Sequence, residues 1–255
     1  MLGAIAGDII GSPYENRPHK SVEFELLPDE ARFTDDTVLT VATAFSLMTD
    51  GDYAQNYKMF GRLYPSAGYG AAFANWLASE SLDSYGSYGN GSAMRVSPIG
   101  FAFDAESQVL REARRSAEVT HDHPEGVKGA QAVALAVLLA RQGADQETLR
   151  RELSARFGYD LDRTPDAIRP GYTIDVTCQG SVPEALCCYL AAGGFEEAVR
   201  LAVSLGGDAD TQACIAGAVA EATFAVPDAI AAAIVVRLPE DLREIVRDFY
   251  ERFAD

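Results

Sequence analysis

Basic side chains are scarce in this chain of 255 residues, with 21 Lys and Arg against 38 Asp and Glu, a formal net charge of −17. A surface that acidic repels phosphate backbones and anionic lipid, which excludes nucleic-acid or membrane binding as the main task. Histidine is scarcer still. His19, His121 and His123 are the whole supply, and the four cysteines (Cys178, Cys187, Cys188, Cys214) show no metal-ligand spacing, so a zinc site is disfavoured. Four cysteines in a chain this long do not make a disulfide framework either; they read as reduced thiols facing the core. No apolar run reaches the roughly 18 residues of a membrane span. The longest candidate, Ala132 to Ala140, stops at Arg141. No basic segment precedes the apolar start, and Asp8 falls too early for a signal peptide, so a cytoplasmic protein is expected. Repeats of fixed period and low-complexity linkers are also missing, which argues against a solenoid or a disordered chain.

Hydrophobic residues make up 48% of the chain and charged residues 23%, enough apolar material for a sizeable core. Helical periodicity dominates. Helices are expected at 3–10, 37–48, from 71, at 106–119, 127–141, 146–157, 183–192, 195–204, 212–224 and 242–253. Pro183 suits the first turn of its helix, and Gly193-Gly194 and Gly206-Gly207 suit helix ends. Strand evidence is confined to the alternation Ser21 to Leu26, which has no clear partner. The expectation is one all-α domain over residues 1–255. Residues 51–70 and 81–100, rich in Gly, Tyr, Ser and Asn, read as long loops, and loops of that length in a helical domain usually carry function.

Two acidic motifs stand at helix starts. Thr34-Asp35-Asp36-Thr37 precedes one apolar helix, and Gly206-Gly207-Asp208-Ala209-Asp210-Thr211 precedes another. Each alone reads as an N-cap, since Asp and Thr oxygens accept the free N–H groups of a first turn. Together they exceed that need and favour a site for a hard divalent cation such as Mg²⁺ or Mn²⁺. Four carboxylates in one cleft repel one another unless a cation neutralises them, and Thr34 and Thr211 add oxygen donors without charge. Glu15 is a fifth candidate acid, and five are more than one ion needs, so two metals sharing an Asp are expected. A third element, Gly86-Ser87-Tyr88-Gly89-Asn90-Gly91-Ser92, offers a glycine-rich turn whose backbone N–H groups suit anionic oxygens, though it is not a P-loop. His121 and His123 lie in the stretch before the buried helix, and one of them is a candidate to touch substrate.

The order of these motifs, from Gly7-Asp8 and Glu15 through Thr34-Asp35-Asp36-Thr37, Gly89 to Arg95 and His121 to Gly126, to Gly206 to Thr211, resembles the ADP-ribosylglycohydrolase family over residues 3 to about 224. The resemblance implies an all-α orthogonal helical bundle with two Mg²⁺ or Mn²⁺ ions at the bottom of a cleft. It implies Thr34, Asp35, Asp36, Asp208, Asp210 and Thr211 as metal ligands, and Glu15, Asp36 and Asp208 as catalytic residues. Substrate contacts fall on Gly68, Tyr69 and Gly70 and on the diphosphate cradle Ser87, Tyr88, Gly89, Asn90, Gly91 and Ser92. Tyr88 is placed to stack on adenine, and His123 lies near the ribose and phosphates.

The implied reaction releases ADP-ribose from a modified protein or a small ADP-ribose derivative. Cleaving the bond at the distal anomeric carbon needs stabilisation of an oxocarbenium-like ring, protonation of the leaving group and activation of water. Glu15 is the candidate acid/base. The segment Ser66 to Gly70 contains no acid, where arginine-acting relatives carry one, which favours an O-linked acceptor. Two other readings stay open: a non-catalytic ADP-ribose-binding or crystallin-like protein, and a metal-dependent pyrophosphohydrolase of nucleotide sugars.

Overall fold

Glycine at every fourth position of the first helix decides how the bundle closes. The computed structural model describes residues 1–253, and its elements run α1 (Leu2–Gly11), a 3₁₀ turn (Ser12–Tyr14), α2 (Asp35–Thr49), α3 (Tyr53–Leu63) and α4 (Ala71–Ala78). There follow α5 (Gly91–Met94), α6 (Ser97–Ala102), α7 (Glu106–Glu118), α8 (Pro124–Arg141), α9 (Gln146–Phe157) and α10 (Pro165–Ile168). The chain ends with α11 (Cys178–Ala191), α12 (Phe195–Val203), α13 (Ala209–Phe224), α14 (Asp228–Val235) and α15 (Glu240–Phe253). Gly3, Gly7 and Gly11 face α13, where a Cβ on each would overlap the carbonyl oxygen of Gly217, Ala213 and Ala209 in turn. The two backbones therefore run antiparallel at a separation that only glycine permits. Glu221 of α13 accepts the Gly3 N–H at 2.7 Å and so satisfies a free donor of the first turn of α1.

Around this pair the most apolar helices fill the interior. Val133 to Val137 of α8 and Ala213 to Gly217 of α13 are buried on every face, as expected of helices without a polar stripe. By contrast α7, α12 and α15 bury one stripe each, for example Val109, Ala113 and Ala117 on α7. Among the described residues there is no strand, only an isolated antiparallel bridge between Gly89 and Thr177, and no helix is long and apolar enough to cross a membrane. All four cysteines are free and buried, as their spacing implied.

The expected helices form, with shifted ends and additions. The alternating stretch Ser21 to Leu26 is irregular rather than a strand; the Val22 and Phe24 carbonyls take the Arg200 guanidinium at 3.2 and 2.8 Å instead of a ladder partner. The supposed long loop 51–70 contains α3, started by Asp52 accepting from Gln55 N at 3.0 Å and anchored by Tyr53, Tyr57 and Phe60. Helix α11 begins at Cys178, capped by Thr177, so Pro183 lies inside it rather than in its first turn. The carbonyl that Pro183 cannot bond is that of Gln179, an exposed residue, which makes the break tolerable. Helix α14 had no counterpart among the expected elements. Gly206, at φ +66°, adopts the left-handed conformation beyond α12 and turns the chain toward Asp208.

Candidate functional site

The close crossing of α1 and α13 carries Asp8 and Asp210 into the same buried space, and the N-terminus of α2 brings Asp36 there. One carboxylate oxygen each from Asp8, Asp36 and Asp210 lie within 4.8 Å of one another, as do those from Glu15, Asp208 and Asp210. Asp210 belongs to both sets. Asp8 also organises the start of α2. It accepts from Thr34 N at 2.9 Å, Thr34 Oγ1 at 2.7 Å and Thr37 N at 3.1 Å, and from the Thr37 hydroxyl. Thr34 completes the cap by accepting from Asp36 N at 3.3 Å, and Thr211 Oγ1 reaches Asp36 Oδ2 at 3.3 Å.

Burial dominates the electrostatics of this wall. It raises Asp8 to about 6 against the pull of its four hydrogen bonds, and it raises Asp35 to about 8 with the charges of Asp8, Asp208 and Glu15 adding to it. Asp36 and Asp210 are pushed well above the carboxylate range by burial and by neighbouring carboxylates. Asp208 rises through burial too, and Glu15 rises through burial and the Asp208 charge, with Arg32 opposing. Asp36 Oδ1 is buried with no hydrogen-bond partner among the described residues. An acceptor left so costs about 1–3 kcal/mol. A wall of hard oxygen donors, mutually repelling and with one oxygen orphaned, fits a divalent cation of the Mg²⁺ or Mn²⁺ kind; no thiol or imidazole belongs to either set.

Opposite lies a wall without a carboxylate. The loop through Gly89 is pinned from two sides: Asn90 N donates to Val176 O at 2.8 Å, Cys178 N to Tyr88 O at 2.9 Å, and Ser87 N to Thr120 O at 3.2 Å. Asn90 Nδ2 spans the cleft floor, donating to Ser181 Oγ at 3.0 Å and to Asp208 Oδ2 at 2.7 Å. Between the walls is a cleft of about 340 Å³, within the size range of small-ligand sites.

Most of the anticipated residues converge here. Glu15, Asp35, Asp36, Asp208, Asp210 and Thr211 line one side, Gly68 and Gly70 the entrance, and Ser87, Gly89, Asn90 and Gly91 the other side. Others do not line it, Thr34 among them, whose hydroxyl is buried and donates to Asp8 Oδ1 at 2.7 Å. Tyr69 turns inward and stacks on Phe73 at 5.3 Å, and Ser92 is buried with its hydroxyl on Gly126 O. Tyr88 stands outside the cleft, 48% exposed and 5.2 Å from the His123 ring. The expected run of free N–H groups is shorter than read from the glycines, because those of Ser87, Gly89 and Asn90 are spent on Thr120 O, Ser87 Oγ and Val176 O. The histidine in the cleft is His121; His123 instead caps α8, its Nδ1 accepting from Glu125 N at 3.1 Å. Asp8, Arg95 and Val176 are among the residues here that went unassigned in the sequence. Asp8 had a signal, an acid inside an otherwise apolar helix. Arg95, which closes the Gly89 to Arg95 motif, and Val176, which had no signal, both line the cleft.

Comparison with known proteins agrees with this geometry. The family model described as ADP-ribosylglycohydrolase matches residues 1–255. The chain is 29% identical to ADP-ribosylhydrolase ARH3 of Homo sapiens, over 88% of this chain and 84% of that protein. It is 28% identical to ADP-ribosylarginine hydrolase Tri1 of Pseudomonas putida, over 89% of this chain and 70% of that one. A solved structure described as an ADP-ribosylglycohydrolase-related protein complex superposes with a TM-score of 0.73 at 26% identity, covering 98% of this chain and 96% of its own. With its whole length matched and its acid-walled cleft in place, the chain belongs to the ADP-ribosylglycohydrolase family.

Proposed function

We propose that this chain hydrolyses the glycosidic bond between the distal ribose of ADP-ribose and an acceptor, releasing ADP-ribose and the free acceptor. The observation that carries it is the pairing, in one cleft, of Glu15, Asp36, Asp208 and Asp210, drawn from two carboxylate sets that share Asp210 and with Asp8 buried behind them, with a facing loop of glycines, Asn90 and His121. The family match over residues 1–255 supports one domain bearing the whole activity, and the four free, buried cysteines support a cytoplasmic setting.

Asp36, Asp208, Asp210, Thr211 and Asp35, with Thr34 behind them, would hold two Mg²⁺ or Mn²⁺ ions. Bound there, the cations supply charge neutralisation and orient the cis hydroxyls of the distal ribose. The chain's own residues do the rest. Glu15, half-buried after the 3₁₀ turn, keeps its proton to higher pH than an ordinary glutamate and so suits proton transfer to the leaving acceptor or from the attacking water. Gly89 and Gly91 leave room for the diphosphate beside His121, and Tyr88, outside the cleft and 48% exposed, is free to meet an adenine that extends beyond it. Asn90 holds Asp208 at its side of the cleft.

The acceptor side supports an O-linked substrate. Ser66 to Gly70 brings no acid that would pair with a guanidinium, and Arg32, exposed and close enough to pull on Glu15, adds positive charge near the candidate acid/base. The test is product analysis on serine-, arginine- and aspartate-linked ADP-ribosyl peptides with Mg²⁺, Mn²⁺ or a chelator. Free ADP-ribose, released fastest from the serine peptide and abolished by chelator, is expected. AMP with a ribose phosphate product would instead make the protein a pyrophosphohydrolase, and tight binding of ADP-ribose without turnover would make it a reader.

A further inference from the structure

Thr120 stands between a guanidinium and an imidazole, and its single hydroxyl proton decides which nitrogen of His121 carries hydrogen. Arg95 is completely buried, with its guanidinium carbon 4.2 Å from the centre of the Tyr57 ring. Its Nη2 donates to Ser116 O and to Thr120 Oγ1, both at 2.9 Å. Thr120 Oγ1 lies 2.7 Å from His121 Nδ1. A guanidinium has donors only, so the Thr120 oxygen must accept from Arg95. Thr120 is itself fully buried, and among the described residues its hydroxyl has no other acceptor than His121 Nδ1. A hydrogen on Nδ1 would strand the hydroxyl proton in the core, at the cost of an unpaired buried donor.

The proton order along the chain of three is therefore fixed, and Nε2 carries the imidazole hydrogen. That nitrogen lies beside the glycine loop: a Cβ on Gly91 or Gly89 would sit 3.3 or 3.6 Å from it. His121 lines the cleft, and Nε2 has no hydrogen-bond partner among the described residues. We propose that Arg95 and Thr120 are positioning residues that lock His121 as a neutral Nε2–H donor aimed at an oxygen of the ligand in the cleft. His121 is thereby a hydrogen-bond donor and not a general base. Burial, and secondarily the Arg95 charge, disfavour a second proton on the ring. The ligand's identity rests on the proposed function; the tautomer does not.

Long-range nitrogen–proton NMR of histidine-labelled protein tests the lock, with His121 assigned by its loss in His121→Asn. A pyrrole-like Nε2 and a pyridine-like Nδ1 are expected before any ligand is added. Thr120→Val should mix the tautomers and raise the KM for an ADP-ribosyl peptide by the inverse of the Nε2–H fraction that remains, about twofold for an even mixture, with kcat less affected. Thr120→Ser should restore both. A pyridine-like Nε2 in the wild type, or a Thr120→Val protein with unchanged nitrogen shifts and KM, overturns the proposal. If Thr120→Val fails to fold, the wild-type spectrum still decides. If the wild type binds no ADP-ribose, the proposed function fails while the spectrum still judges the lock.

Discussion

The two walls of the cleft solve opposite problems with the same tool, burial. On the α1, α2 and α13 side, burial crowds Asp8, Asp35, Asp36, Asp208 and Asp210 until their ionised forms repel one another, a wall that could hold a cation. On the side of the Gly89 loop and the end of α7, burial suppresses charge instead. His121 is held neutral, the loop carries no acid, and Arg95, the charged side chain lining the cleft on this side, meets Ser116 O, Thr120 Oγ1 and the Tyr57 ring, with its Nε and Nη1 left without a partner among the described residues. A protein with a net charge of −17 that takes an anionic ligand needs this division. Attraction must come from the cation side and from uncharged donors at short range, because the overall field opposes the ligand.

Breaking the acid wall should have the largest effect. Asp210 belongs to both carboxylate sets, so Asp210→Asn is expected to weaken Mg²⁺ binding by more than about 100-fold, beyond what loss of a supporting partner costs, and to abolish turnover. Calorimetric titration measures the first and ADP-ribose release the second. Wild-type affinity in that variant would mean that the two sets do not share an ion-binding residue. Glu15→Gln separates chemistry from metal. Its amide keeps an oxygen toward Asp208 and Asp210 but cannot exchange a proton, so kcat should fall by about 10²–10⁴ with Mg²⁺ affinity near that of the wild type. Undiminished kcat would remove Glu15 from acid/base work.

What could be read from the sequence divides along the same line. The acid wall was legible because Thr34-Asp35-Asp36 and Asp208-Ala209-Asp210-Thr211 are local motifs, each visible within one helix start. The all-α class was legible from periodicity. The pairing of α1 with α13 was present as Gly3, Gly7 and Gly11 at helical spacing, yet without a partner helix in view such spacing has no address. The donor wall was less legible because it is assembled from distant pieces. Whether His121 or His123 enters the cleft depends on where α8 starts, and Pro124 with the cap at Glu125 N claims His123 for the helix. Helix α3 was missed because Tyr53, Tyr57 and Gly61 favour irregular structure locally, whereas burial of Tyr57 and Phe60 in the core outweighs that preference.

The smallest and sharpest contrast between the walls is in titration. In the metal-free protein the folded-state values of the acid wall are raised, Asp8 to about 6 and Asp35 from 3.8 to about 8. Between about pH 4 and pH 8 the folded chain thus holds protons that the unfolded chain has released, and stability falls as pH rises. His121 is shifted the other way. Below about 6.5 the unfolded chain takes up a proton that folded His121 refuses, so this group removes stability as pH falls. Each fully offset group contributes a slope of at most about 1.4 kcal/mol per pH unit, and the acids outnumber the histidine. Urea denaturation with chelator should therefore give lower stability at pH 8 than at pH 6.5. Saturating Mg²⁺ should cancel that fall, because the ionised carboxylates are then the bound form, and leave a loss on acidification from pH 6.5 to 5 that His121→Asn reduces. Equal stability at pH 6.5 and 8 without metal would show that the carboxylates ionise freely, and the acid wall would then not require a cation.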